Sequence, residues 1–360
     1  MITILYPYRG RKLSRIKRSL DSLSNQSHQD FKVLLVDYGS EISISDEVKE
    51  LLSKYDFADY LYSYHINRPW SRAKAINIGL RLVKTTYVFV ADIDMIFRYD
   101  FMEKLYQLKN PKLSVYFKVG FLEEDESKQN KLFGDYKIAY TSKIGAQGLS
   151  LFPIEALIAI HGFDEFLHFW GAEDEDIHSR LLNYGLEVHF YDLEVLILHQ
   201  WHQSYRKSEQ KKLTQDLQLS NITRINMQHQ FHNKTTKKII VNPIGWGVII
   251  TEKEYEQLEK QQLAIEIKNG KENIDHFLFF ELPNFSGGVL NVNFCKDDFQ
   301  STIKYQIKKN IGKTVPEYYS LKEINDKLLL HLISFYSDFN YSCKISLDLK
   351  SINFKIQKGH

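Results

Sequence analysis

The chain has 360 residues, enough for two domains with cores of ordinary size. Its 47 basic and 45 acidic residues leave a formal charge of +2, which excludes an electrostatic case for nucleic acid as a partner. Two cysteines exclude a disulfide-stapled scaffold and favour a reducing compartment, and no apolar window of about 18 residues predicts a membrane-crossing helix.

Residues 2–6 are apolar and β-prone, lack the basic lead of a signal peptide, and read as a first strand. Leu13, Ile16, Leu20 and Leu23 have helical spacing. Residues 31–37 predict a buried strand closed by Gly39, 47–54 a helix, and 61–66 a strand. Residues 71–83 predict a helix with Ser71 as its N-cap, and 87–91 the next strand. Such alternation predicts an α/β fold, a mostly parallel sheet covered on both faces. Ligands of such sheets bind beyond the carboxyl ends of the strands, where Asp37, Asp92 and Asp94 fall. A helix is expected over 177–184, closed by Gly185 and preceded by the acidic cluster 173–176.

All eleven arginines lie between Arg9 and Arg224, whereas the lysines continue to the end of the chain. Arginine is the usual bidentate partner of phosphate, so the anion chemistry is expected to finish before residue 225. The polar stretch 203–236 has room for a lid and a linker helix. Beyond it, strand-like runs at 238–241, 246–251, 276–282 and 289–294 mix with a helix at 252–262. Residues 1–236 therefore read as one domain and 237–360 as a smaller α+β accessory domain.

Asp92 and Asp94 end the run Phe89-Val90-Ala91. Two carboxylates at a strand end can hold a divalent cation against a diphosphate, or can simply terminate the strand in polar residues. His199 and His202 follow another apolar run and can meet one ion if the backbone turns, or can be core-edge histidines. Of Glu173, Asp174, Glu175 and Asp176, some can cap a helix and one can take a proton from an acceptor hydroxyl, while Trp170 offers a flat face to a sugar ring. Arg9, Arg11, Arg72 and Lys74 are candidate phosphate ligands or solvated surface cations.

Six ordered motifs over residues 1–205 carry a resemblance. They are Pro7-Tyr8-Arg9-Gly10-Arg11, the run from Trp70 to Gly79, Phe89 to Asp94, Gly162-Phe163, Trp170 to Ile177, and His199-Gln200-Trp201-His202. Together they resemble the β-1,4-galactosyltransferases and their bacterial relatives in the inverting family 2 group, which share the GT-A fold. The resemblance implies a nucleotide pocket lined by Pro7, Tyr8, Arg9 and Arg11, with Asp37 near the uridine, Arg72 near the diphosphate and Asp92 on the ribose or sugar. It implies Mn²⁺, with Mg²⁺ as the alternative, on Asp94, His199 and His202. It assigns acceptor binding to Trp170 and Glu173, the base to Asp174, and a mobile lid to the stretch after His202. Animal members often have methionine in place of His199, and they carry a membrane anchor and disulfides. Galactose-specific members place a tyrosine where Gly145 stands here, which tilts the donor toward N-acetylgalactosamine.

The expectation is an inverting transferase in the cytoplasm or at the inner face of the membrane, with peripheral membrane association open. It would move galactose or N-acetylgalactosamine from a UDP-sugar donor to a saccharide or lipid-linked saccharide acceptor during bacterial surface polysaccharide synthesis. The alternatives are a non-catalytic carbohydrate-binding protein on a transferase-like fold, and a nucleotidyltransferase, which would explain Asp92 and Asp94 but not residues 170–176.

Overall fold

The first strand, β1 (Ile2–Tyr8), is buried along its whole length, as a central strand covered on both faces must be. The computed structural model describes residues 1–203, 212–261 and 263–359, in two units. The first holds Met1–Ser63, residues 70–203 and Thr223–Ile249, and the second holds Tyr64–Pro69, residues 212–222 and the described residues from 250 onward. The sequence expectation cut the chain at 236/237. Residues 237–249 instead group with the first unit, where Trp246 is buried against the packing side of the third helix.

After β1 the first unit runs α1 (Leu13–Ser24), β2 (Phe31–Tyr38), α2 (Ile42–Leu52), β3 (Ala58–Ser63), α3 (Arg72–Leu80) and β4 (Tyr87–Val90), each overlapping its predicted position. It continues through β5 (Met95–Phe97), α4 (Phe101–Gln107), β6 (Leu113–Phe117), β7 (Val119–Leu122), α5 (Glu124–Ser127), β8 (Ile138–Thr141) and β9 (Ser150–Pro153). Then come α6 (Ile154–Ala159), α7 (Glu173–Tyr184), β10 (Glu187–Tyr191) and β11 (Ile197–His199). Seven strands form one sheet in the order β10-β6-β9-β4-β1-β2-β3, in which only β9 is antiparallel to its neighbours. This is the expected α/β architecture, a large mostly parallel sheet flanked by helices.

Alternation along the strands feeds two cores. Ile2, Ile4, Tyr6 and Tyr8 of β1 pack with Ile16, Leu20 and Leu23 of α1, while Leu5 packs on the other face with Ala75, Ile76 and Ile78 of α3. Ser71 caps α3 by accepting the Lys74 N–H at 3.2 Å. Gly79 lets α3 lie close on β1, since a Cβ there would meet Leu5 Cδ1 at 2.3 Å. A second sheet, β5-β11-β7-β8, sets His199 opposite Met95 on β5 and Phe121 on β7.

The helix expected at 177–184 begins four residues earlier, so the acidic cluster forms its first turn instead of preceding it. Gly171 and Ala172 both adopt left-handed backbone, with φ of 97° and 75°, and turn the chain into α7 without a side-chain cap. Four carboxylates in that turn meet the positive end of the helix dipole. Asp176 points inward. Its Oδ2 accepts from Arg180 Nε at 2.7 Å and its Oδ1 from Asn233 Nδ2 at 3.0 Å. The rest of the Arg180 guanidinium donates to the carbonyls of Ile160, Ile239 and Gly162.

The second unit is α+β, with sheet order β12 (Ile265–Lys268), β13 (Gly288–Cys295), β15 (Ser351–Lys358) and β14 (Asn340–Ile345). Its helices Glu252–Lys260 and Leu321–Phe335 each start with a capping box. Residues 276–282, expected as a strand, are helical and include a π-helical turn at Phe277–Glu281. The physical reason is one-sided burial. Phe277, Leu278 and Leu282 are inside while Phe279 and Phe280 are exposed, a spacing that a period-two strand does not give. Residues 238–241 and 246–251 form no strand: Trp246 and Ile250 tuck in singly from loop backbone, while Ile240 and Val248 are exposed. The helix Ile222–Thr235 occupies the place of the expected linker helix, while residues 204–211, the core of the expected lid, lie outside the described residues. No helix among the described residues is long and apolar enough to cross a membrane.

Asp176 and Arg180 are each 1 % exposed, so removing one leaves the other buried without its partner. Arg180→Met is expected to cost the first unit about 3–5 kcal/mol in urea unfolding followed by near-UV circular dichroism. A loss below about 1 kcal/mol would mean that Asp176 finds other donors.

Candidate active site

β1 and β4 are neighbours, yet the connections out of β1 run first to β2 and β3 on the other side. Their carboxyl ends therefore form the point where strand order reverses, the usual ligand crevice of an open α/β sheet. The loop after β1 carries Arg9, Gly10 and Arg11, and the loop after β4 carries Asp92, Ile93 and Asp94. Around them lies a cleft of about 840 Å³, closed by Trp70, Arg72, Phe121, Tyr140, Phe169, Trp170, Glu173, Asp174, His199, Trp201 and His202.

Asp94, His199 and His202 converge there. One ligand atom from each lies within 4.8 Å of the others. His199 Nε2 is 3.9 Å from Asp94 Oδ1 and His202 Nε2 is 3.5 Å from Asp94 Oδ2. The backbone turn that the histidine spacing required is supplied at the end of β11, where the Gln200 N–H donates to the Asp94 carbonyl at 3.0 Å. Gln200 is in turn gripped from α1, accepting from Arg18 at 2.7 Å and donating to the Arg15 carbonyl at 3.2 Å. His202 Nδ1 stands 2.9 Å from the Gln203 carbonyl, which can only accept, so Nδ1 carries a proton and Nε2, 3.5 Å from Asp94 Oδ2, is the atom placed to ligate. Burial pulls His199 below its ordinary pKa against the opposing pull of Asp94, which keeps it neutral and able to ligate. Two imidazole nitrogens and one carboxylate suit Mn²⁺ better than Mg²⁺, which prefers oxygen throughout. The donor set thus fits the expected metal.

Arg72, the first residue of α3, ties the rest of the site together. Its Nε donates to Asp92 Oδ1, its Nη1 to Asp174 Oδ1 and its Nη2 to the Gly148 carbonyl, each at 2.9 Å. Burial opposes charge on Arg72, but Asp92 and Asp174 outweigh it and hold the guanidinium above its usual pKa. Burial likewise works to raise Asp92, and Arg72 brings it below the ordinary carboxylate range. Asp174 is raised by burial, with Arg72 offsetting only part of the effect. Glu173 is raised to about 7, by burial first and then by the Asp174 charge. Asp174 Oδ2 stands over Gly148, where any Cβ would come within 2.8 Å. A smaller hollow of about 360 Å³ adjoins this corner, lined by Gly145, Gly148, Trp170 and the two carboxylates of Glu173 and Asp174.

Of the residues expected from sequence, Pro7, Arg9, Arg11, Arg72, Asp92, Asp94, Trp170, Glu173, Asp174, His199 and His202 line the cleft. Tyr8 and Asp37 lie beneath its floor. Tyr8 donates to the Arg11 carbonyl at 2.9 Å, and Asp37 accepts from the Ser40 N–H at 2.8 Å and the Tyr60 hydroxyl at 2.9 Å. They shape the loops after β1 and β2, and burial raises both groups. Arg9 lies 4.9 Å from the Tyr38 ring centroid and 5.7 Å from that of Trp70. Sequence reading did not single out Phe121 and Tyr140, whose rings stack at 4.7 Å, with Phe121 also against His199 at 4.9 Å. Their only signal was aromatic content on two short strands, which is equally a core signal. Asp176 and Glu175 are absent from the cleft: the first is structural, the second exposed.

Residues 3–144 match the family model of glycosyl transferase family 2, and residues 131–203 match the model described as the N-terminal domain of galactosyltransferase. Chondroitin sulfate synthase 3 of Mus musculus is 23% identical over 222 residues, covering 56% of this chain and 24% of that protein. The Homo sapiens protein of the same name is 24% identical over 217 residues, with the same coverage. The chain thus spans about a quarter of the length of these curated relatives. Among solved structures, GalNAc-T7 with UDP, GalNAc and Mn²⁺ is similar at a TM-score of 0.47 and 13% identity, covering 64% of this chain and 47% of that one. A mannosyltransferase from Pyrobaculum calidifontis, in complex with GDP-Man and Mn²⁺, gives 0.43 and 18%, covering 58% and 59%.

Two outcomes are expected of this geometry. His202→Ala should weaken Mn²⁺ binding at least about tenfold by titration calorimetry, with the fold retained. Unchanged affinity would mean that the ion sits elsewhere. Glu173 has a folded pKa of about 7, above the ordinary 4.5, so its contribution to stability is complete below 4.5 and lost as pH rises through 7. Urea midpoints should then favour Glu173→Gln over the parent near about pH 8, and the advantage should vanish in acid. A constant difference at all pH values would contradict the shifted carboxyl.

Proposed function

We propose, from the matches of residues 3–144 and 131–203 to glycosyltransferase family models, that this chain transfers galactose or N-acetylgalactosamine from the UDP sugar to a sugar hydroxyl, inverting the anomeric centre. One observation carries the reading: a cluster of three metal-ligand side chains and an arginine-bridged carboxylate pair share a single cleft at the switch point of the sheet. The galactosyltransferase model over residues 131–203 supports a galactose-type donor. Gly145 favours the N-acetyl form, since no atom lies within 4 Å of where its Cβ would stand.

Arg9 and Arg11 offer positive charge to the diphosphate side of the cleft, and Trp70 and Trp170 offer flat faces to base or sugar. Asp92, kept ionised by Arg72, accepts hydroxyl hydrogen bonds from the donor's ribose or sugar. Asp94, His199 and His202 would hold Mn²⁺, which when bound would supply positive charge against the negative charge that gathers on the diphosphate. Asp174 takes the proton from the acceptor hydroxyl. The freed oxygen pair forms a bond to the anomeric carbon as the bond to the diphosphate oxygen breaks, and that oxygen leaves with its electrons as UDP. Burial makes Asp174 a stronger base than an exposed aspartate, and the Arg72 bond to Oδ1 leaves Oδ2 for the proton. Glu173, protonated up to about neutral pH, can donate to an acceptor oxygen and orient it. The setting we propose is bacterial surface polysaccharide synthesis at the cytoplasmic side of the membrane, with the second unit as an accessory domain. A binding protein built on a decayed transferase would be expected to lack a ligand or the base, whereas Asp94, His199, His202 and Asp174 are all present.

The experiment is a donor screen for UDP release with Mn²⁺ and sugar acceptors. The parent is expected to turn over UDP-galactose or UDP-N-acetylgalactosamine. Asp174→Asn should retain UDP affinity and lose transfer by about 10²–10⁴-fold. Saccharide binding by the parent without UDP release from any donor would leave the non-catalytic alternative standing.

A further inference from the structure

The second unit carries an amphipathic helix with its apolar side turned outward. Ile303–Asn310 is held to the unit by one buried side chain, Tyr305, whose hydroxyl donates to the Pro316 carbonyl at 3.3 Å and whose ring meets those of Phe299 and Tyr318. Ile303, Ile307 and Ile311 recur every fourth residue, so they span a stripe about 80° wide on the wheel, nearly opposite Tyr305. They are 78%, 55% and 61% exposed. Three isoleucines aligned in solvent are not the scattered apolar exposure of an ordinary surface.

The surroundings of the stripe decide what covers it. Lys304 and Lys308 border one side of it, Lys309 lies on the side of Tyr305, Lys313 follows the helix end, and residues 302–316 contain no acidic side chain. Among the described residues no carboxylate pairs with any of these four lysines. Two of the nearest acids in sequence are otherwise engaged. Asp297 accepts from Tyr318 at 2.9 Å and from the Phe299 N–H, Glu317 pairs with Lys271 at 2.5 Å, and Asp298 is exposed two residues from the exposed Lys296. Gly312, at φ 68°, ends the helix and returns the Lys313 N–H to the Lys308 carbonyl at 3.0 Å, which fixes the backbone just beyond Ile311, the last residue of the stripe. A short helix with branched apolar residues outward and lysines along one border matches the interfacial zone of an anionic bilayer: isoleucines enter the acyl boundary while ammonium groups meet lipid phosphates.

We propose that the face formed by Ile303, Ile307, Ile311 and their flanking lysines docks the chain on an anionic lipid surface. The test is sedimentation of the full chain with sucrose-loaded vesicles of phosphatidylcholine alone or mixed with phosphatidylglycerol. The parent is expected to partition onto the mixed vesicles, less so as salt is raised, and not onto phosphatidylcholine alone. Ile307→Asp, and separately Lys304→Glu with Lys308→Glu, should each lower partitioning at least about tenfold with the circular dichroism spectrum unchanged. Equal partitioning of parent and both variants, or equal binding to neutral vesicles, overturns the proposal. So does a concentration-dependent dimer that Ile307→Asp abolishes, which would assign the stripe to a second copy of the chain.

Discussion

The Arg72 guanidinium is the constraint on which the site depends. Three of its nitrogens reach three segments far apart in sequence: the loop after β4 through Asp92, the first turn of α7 through Asp174, and the strand entry at Gly148. Asp92, Glu173 and Asp174 crowd the corner around it, and without a cation among them Asp92 and Asp174 would repel. The bridge keeps Asp92 ionised and sets Asp174 with one oxygen bonded and the other free, which divides two like groups into different chemical tasks. Its rigidity begins at Ser71, whose cap fixes the first turn of α3, and at Gly79, whose missing side chain lets the helix sit down on β1.

A second division of labour runs along α7. Glu173 and Asp174 face the cleft, while Asp176 turns into the core within the same helical turn and is satisfied by Arg180 and Asn233. Arg180 then closes three carbonyls of the segments around residues 160–162 and 239. Asp164 joins this network by accepting from His229 at 2.9 Å and Asn233 at 2.8 Å. The helix that presents the proposed base is thus anchored by the acid two residues away. Chemistry and stability are kept on separate faces of one turn, so the strained left-handed entry at Gly171 and Ala172 is held in place by contacts on the far side.

Much of this was legible in the residues, and what was not has a physical pattern. The strands β1, β2 and β4 and the caps of α3 were readable because period and punctuation are local properties. The π-helical segment after residue 276 was misread because a continuous apolar run does not reveal its period until the buried side is known. The acid cluster was placed before its helix because glycine and alanine in left-handed backbone leave no side-chain cap to read. Asp37 and Tyr8 lie under the cleft floor because their polar atoms are taken by neighbouring loops, which no motif records. The arginine distribution overstated the anion chemistry, since Arg180 gives its donors to Asp176 and to backbone carbonyls.

By itself, then, the chain's order of residues determined a parallel α/β sheet, the strand ends at which carboxylates emerge, and a set of residue types fit for a cation and a proton transfer. Tertiary structure alone decided that Asp94 meets His199 and His202, about a hundred residues away in sequence, that Arg72 joins Asp92 to Asp174, and that Asp176 belongs to the core. Local periodicity is fixed by steric and solvent preferences of neighbouring residues, whereas convergence of distant side chains depends on strand order and register, which are set only when the whole sheet closes.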